Sequence, residues 1–307
     1  MEEAPAYSYR EAGYTCGLRS FRMARGISTM ATMTLNGRCP LLDCTQLPRS
    51  WNPDHIDLSG LEWITPFEVA MTAAVWSRLD LAGEPPDVTL PSDPVVRAYL
   101  VDIGLNKVIP GNWGAGGGSA SEPPWLKLTR LTNGNEWDEI LRVLWPEASG
   151  LFDDTRLTRE TMDLLGELID NAVTHGQSDT GTFVCAQRYT GVTSYLPHGI
   201  WIGVADTGKG IPNHLRQNPK YADIEDDRKL IGLSRKPWVT GTSERRGWGL
   251  VEVFESATNV GPSRIVMRSG RGQGEFQLRQ GKSVVARYRA VTPAVPGTWI
   301  HVRLESI

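Results

Sequence analysis

A glycine-rich stretch in the middle of the chain does most to limit what this sequence can fold into. It reads Pro110-Gly111-Asn112-Trp113-Gly114-Ala115-Gly116-Gly117-Gly118-Ser119-Ala120-Ser121-Glu122-Pro123-Pro124. Its glycines favour neither helix nor strand, so it reads as a flexible tether that divides the 307 residues into two units. Two domains also suit that length. The other reading, a glycine-rich phosphate loop, is weaker, because no strand runs into the stretch and no Lys-Ser or Lys-Thr follows it. The divisions are then an arm at 1–26 with no convincing period, a unit at 27–110, the tether at 111–124 and a unit at 125–307.

In the first unit, short β-type runs occur at 29–35 and 40–46, and His55 to Ile64 reads as a buried strand with a bulge or turn at Gly60. Pro66 opens a helix in which Phe67, Ala70, Met71, Ala74 and Val75 recur at helical spacing, and Gly83 and Pro85 end it. A strand follows at 87–90, and Asp93 caps a helix that Pro94 opens and that runs to about Gly104. Strand, helix, strand, helix over this length predicts a small α/β layer domain.

After the tether the pattern predicts a strand at 125–130, helices at 136–145 and 156–176, and strands at 181–189 and 199–206. The stretch 213–246 carries little hydrophobic period and reads as a long polar loop, functional or mobile. A helix at 248–257, a strand at 263–268, a hairpin over 275–291 pivoting near Gly281 and a last strand at 298–304 complete the unit.

Charge and cysteine content bound the function. A net charge of −3 gives no electrostatic reason to expect nucleic acid or anionic membrane as partner. Cys16, Cys39, Cys44 and Cys185 form no CxxC pair, so the thiols read as reduced and cytosolic and a structural zinc site is not expected. Neither a signal peptide nor a membrane span is apparent, and a cytoplasmic location is the expectation.

Three stretches carry chemistry. In the helix at 156–176, Leu165, Leu168, Ile169, Ala172 and Val173 make an apolar face, and Glu167 and Asn171 project together one turn apart on the other side. A carboxylate beside a neutral amide suits a hydrated metal and an oriented nucleophile. The second stretch, Gly203-Val204-Ala205-Asp206-Thr207-Gly208-Lys209-Gly210, nearly matches a P-loop. It lacks the final hydroxyl, however, and puts Asp206 where it would repel phosphate. It reads better as a strand delivering Asp206 to a pocket floor, with Gly208 and Gly210 turning the backbone away from a flat ligand. A buried carboxylate needs donors, and the exocyclic amine of adenine is one. The third stretch runs from Thr240 to Leu250. Its glycines lead into a helix start, and Thr242, Ser243, Arg245 and Arg246 add donors suited to phosphate.

Together and in this order, these stretches resemble the GHKL superfamily of ATP-binding domains, which have the Bergerat fold. Glu167-Leu168-Ile169-Asp170-Asn171 looks like the N box, Asp206-Thr207-Gly208-Lys209-Gly210 the G1 box, Gly247-Trp248-Gly249-Leu250 the G2 box and Gly297-Thr298-Trp299-Ile300 the last adenine-contacting strand. The resemblance covers residues 125–307 and implies helices on one face of a mixed sheet in an α+β sandwich. It also implies ATP and Mg²⁺, with Asn171 as the Mg²⁺ ligand, Asp206 on the adenine amine and Thr298 supporting it. Gly208, Gly210, Gly247 and Gly249 would shape the nucleotide loops, Glu167 would be the proton acceptor, and 213–246 would be an ATP lid.

Histidine kinases usually have Asn in place of Glu167 and need a phospho-accepting His on a helical stem, which no His of this chain has. Gyrase-like and MutL-like ATPases need a following domain that supplies a Lys, and the chain stops a few residues past Thr298. The resemblance is therefore to the anti-sigma-factor serine kinases, acting on a STAS-type or sigma-factor-like protein; a homodimer stays open. Residues 27–110 resemble a STAS domain, with Thr65-Pro66-Phe67-Glu68 where phosphorylated STAS partners carry Asp-Ser-Ser-Gly. Its acceptor serine is absent, which implies a docking or regulatory module. Two alternatives stay open for the whole protein: an ATP-hydrolysing switch and a non-catalytic nucleotide-binding adaptor.

Overall fold

A computed structural model describes residues 31–38, 50–114, 124–148, 154–189, 199–242, 248–279 and 284–305. The arm at 1–26, the strand expected at 40–46, Cys16, Cys39, Cys44 and Gly281 lie outside the described residues, as do Ser243, Arg245, Arg246 and Gly247. The architecture is mixed α/β, with parallel and antiparallel strand pairs.

The first unit holds β1 (Thr32–Thr34), β2 (Gly37–Arg38), β3 (His55–Asp57), β4 (Leu61–Trp63), α1 (Pro66–Leu81), β5 (Asp87–Thr89) and α2 (Pro94–Ile103). Strands β1, β3 and β5 pair in parallel in that order, and β2 pairs in parallel with β4. The run from His55 to Ile64 is two strands, because the chain turns between Leu58 and Leu61, whose amide donates to the Leu58 carbonyl at 3.0 Å. Asp93 caps α2 by accepting the Val95 amide at 2.7 Å, and Gly104 ends the helix at φ 98°, in the left-handed region.

Helix α1 explains how the two units sit. Thr65 starts it by donating its amide (3.1 Å) and its hydroxyl to the Glu68 carboxylate. From Pro66 to Trp76 every residue is buried, with Val69 and Ala73 as fully enclosed as the Phe67 stripe. A helix that is apolar all round has no solvent face and must be covered on all sides. Here the first unit's strands lie on one side. On the other is a sheet of the second unit, which adds Phe183, Cys185, Ala205 and Trp299 to the same core. The approach is close: a Cβ on Gly203 would stand 2.3 Å from the Pro66 carbonyl oxygen, and the Cys185 thiol donates to that oxygen at 3.1 Å. Trp51 meets Trp299 edge-on, with ring centroids 4.5 Å apart.

The second unit runs β6 (Leu126–Leu131), α3 (Gly134–Ala148), α4 (Thr155–Asp170), β7 (Thr182–Tyr189), β8 (Gly199–Asp206), α5 (Gly210–Arg216), α6 (Asp227–Ser234), α7 (Gly249–Val260), β9 (Ser263–Leu278) and β10 (Val285–Glu305). Its five strands are ordered β6-β7-β8-β10-β9. The mixed sheet expected there is corrected: every neighbouring pair is antiparallel. Strands β8 and β9 do run the same way, but β10 returns by a hairpin and lies between them. The unit's own helices do pack on one face of this sheet, where residues of α4 and α7 join the core, and the other face is covered by α1 of the first unit.

The loop expected over 213–246 is corrected too, since it contains most of α5 and all of α6. Leu215, Tyr221 and Leu230 form a small core of their own, too sparse in sequence to register as a period. Arg216 ties the segment together, donating to the carbonyls of Ile224 (3.0 Å) and Glu225 (2.8 Å) and to Asp227 Oδ1 (2.5 Å).

Candidate functional site

A cavity of about 400 Å³ opens between α4, the end of β8, α5, α6, the start of α7 and β10. That is within the range of small-ligand sites, roughly 300–1,000 Å³. Of the residues expected from sequence, Glu167, Asn171, Asp206, Gly210, Gly249 and Thr298 line it. Gly208 stands behind the wall and donates its amide to Asp206 Oδ1 at 2.9 Å; a Cβ there would fall 1.9 Å from the Gly176 carbonyl oxygen. Thr242 does not line the cavity. Its amide donates to the Thr240 hydroxyl at 3.3 Å, and Thr240 is the lining residue.

Asn171 sits where α4 loosens. The helix expected through Gly176 stays α-helical only to Asp170, and Asn171–His175 forms a π turn. Such turns re-aim side chains and are frequent at functional sites. The Asn171 amide nitrogen donates to the Glu167 carbonyl at 2.6 Å, which commits Nδ2 and leaves Oδ1 as an acceptor. Gly249 gives both side chains their room: a Cβ there would lie 2.5 Å from Asn171 Nδ2 and 2.8 Å from Glu167 Oε2. Burial raises the Glu167 carboxyl to about 7, helped by a hydrogen bond and like charge from Glu252 on α7 and by Asp170 and Asp163.

Asp206 is 1% exposed at the end of β8. Burial pushes its carboxyl up to about 7, against the opposing pull of the Gly208 and Thr298 amides. Its Oδ2 has no hydrogen-bond partner among the described residues. A buried, unmatched acceptor on a cavity wall is costly and calls for a donor from a ligand or a water. Thr298 is held by a residue that sequence reasoning missed. Ser269 donates to the Gly297 carbonyl at 2.7 Å and accepts the Ile211 amide at 2.9 Å, so the 3.0 Å contact between the two hydroxyls takes its proton from Thr298.

His175 and His214 were missed as well. Their rings face each other 4.7 Å apart, and both line the cavity. The Gly241 amide donates to His214 Nε2 at 3.2 Å, which puts the proton on Nδ1. Burial, then His175 and Lys209, lower His214 to about 4, so it is neutral. His175 lies one turn beyond Asn171, and that spacing was a signal open to reading; His214 and Glu252 are brought in only by the fold.

No group of three or more His, Cys, Asp or Glu able to hold a metal occurs among the described residues. Magnesium, which keeps waters and takes phosphate oxygens, suits a single protein ligand such as Asn171 Oδ1. No helix among the described residues is long and apolar enough to cross a membrane. Compared with known proteins, the chain matches no family model and no curated relative.

Proposed function

We propose that this chain binds ATP in the 400 Å³ cavity and is a regulatory protein kinase of the anti-sigma-factor type, acting on a Ser or Thr of a separate protein. The carrying observation is Asp206, buried with an unmatched Oδ2 in the cavity that also holds Glu167, Asn171 and Gly249. An adenine amine supplies the missing donor. A guanine, with a carbonyl at that position, would set acceptor against acceptor. Asn171 Oδ1 fits the Mg²⁺ that would neutralise phosphate charge. Glu167, with its carboxyl raised to about 7, is a stronger base when ionised than an ordinary carboxylate and is suited to accept a hydroxyl proton.

The arrangement agrees with the Bergerat-fold resemblance of residues 125–307, and the parallel β1-β3-β5 sheet with α1 and α2 agrees with a STAS-like first unit. That unit serves as a docking or regulatory module. Its Thr65 is fully buried and engaged with Glu68, which disfavours it as an acceptor.

Calorimetry and melting test the reading. Mg·ADP and Mg·ATP should raise the melting temperature of the protein, GTP should not, and Asp206→Asn should remove the shift. Glu167→Ala should abolish label transfer from γ-labelled ATP while keeping the ADP shift. An equal response to GTP, or an ADP shift that survives Asp206→Asn, refutes the assigned site.

A further inference from the structure

A second depression, an open groove of about 550 Å³, is lined by α6, the residues that flank it and Tyr288 of β10. Lys229, Arg235 and Lys236 stand round it, and Ile224, Leu233 and Tyr288 give it an apolar lining. Tyr288 reaches in because position 232 is glycine: a Cβ there would lie 3.2 Å from its hydroxyl. Asp226, the acid in the lining, is already taken by Arg228 through paired contacts of 2.9 Å. Asp227 is turned away, accepting from Arg216 at 2.5 Å and from the Arg271 amide at 2.6 Å. Lys229 and Lys236 are exposed and have no ion pair among the described residues, whereas Arg235 lies over the Phe276 ring at 5.5 Å. The lining thus holds Arg228, Lys229, Arg235 and Lys236 against the single carboxylate of Asp226, with the exposed Glu225 beside it in sequence, on a chain of net charge −3.

We propose that this groove docks an acidic segment of a partner protein, with Asp or Glu side chains on Lys229 and Lys236 and an intervening apolar residue against Tyr288 and Leu233. The short basic rim and apolar floor favour a peptide over nucleic acid, which asks for a longer basic track along its phosphates. The inference is independent of what the 400 Å³ cavity binds.

The test uses the full chain and a fluorescein-labelled twelve-residue peptide of alternating Glu and Leu, followed by anisotropy. Binding should weaken at least tenfold in Lys229→Glu/Lys236→Glu, weaken on raising salt, and fall in Tyr288→Ala, with melting temperatures of the variants unchanged. A matching peptide of alternating Lys and Leu should bind at least tenfold less. Equal binding of the two peptides, or full binding by the double variant, overturns the proposal. Tighter binding of a twelve-nucleotide single-stranded DNA, lost in the same double variant, overturns it in favour of a nucleic-acid surface.

Discussion

With its carboxyl raised to about 7, Asp206 holds a proton in the folded chain over a range where the unfolded chain has released it, since an unperturbed Asp titrates near pH 4. Between those values the folded state binds more protons at this position, so its stability contribution falls as pH rises through the window and stays low above it. Glu167 acts in the same direction, and neutral His214 and His301 act in the opposite one, losing stability as acid charges them in the unfolded chain. The informative quantity is therefore the difference between wild type and Asp206→Asn. In ligand-free protein that substitution should flatten part of the fall in melting temperature from pH 5 to pH 8. Adenine-nucleotide affinity should rise over the same interval as the carboxylate forms. A pH profile identical in the two proteins would mean that Asp206 titrates normally. Asp206 was legible in the sequence because a strand ending in Asp-x-Gly-x-Gly has few good structural uses. Its missing partner was not legible, since hydrogen bonding depends on what the folded neighbours leave unmatched.

At the scale of elements, the site depends on how closely α7 starts against α4. Gly249→Ala is favoured by helix propensity by up to about 1 kcal/mol. It nevertheless puts a methyl group where a Cβ stands 2.5 Å from Asn171 Nδ2. The expected outcome is a fold of near-normal melting temperature with nucleotide affinity reduced at least tenfold, about 1.4 kcal/mol, by calorimetry. Unchanged affinity would show that α7 does not set the positions of Asn171 and Glu167. The helices that bear the site residues were readable from their 3.6-residue period, and the strands from alternation. Helix α6 was not, because its three apolar side chains, Leu230, Ile231 and Leu233, are too few and too close together to set a helical period in a polar stretch. The π turn at Asn171 was equally silent, because a single extra residue in a helical turn leaves the apolar pattern of Leu168, Ile169 and Ala172 unbroken.

For the whole molecule, the tether at 111–124 separates the units in sequence more than the fold does, because α1 packs into a single core to which both units contribute. Val69 and Ala73 were the clue: with them the apolar residues of α1 cover its full circumference, although a one-face reading of Phe67, Ala70 and Met71 passes over it. A fragment spanning 124–307 should therefore expose the sheet face bearing Phe183, Ala205 and Trp299. It should bind an apolar dye and scatter light at concentrations where the full chain is monodisperse. A well-behaved, dye-silent fragment would overturn that account. Strand β10 carries the last consequence. Thr298 lines the cavity, and the next residue, Trp299, is paired with Ala205 and pressed against Trp51 of the first unit. One peptide bond thus separates the ligand's wall from the neighbouring unit's grip. The hydroxyl on the cavity side and the indole that the first unit holds are carried by consecutive residues of one largely buried strand segment.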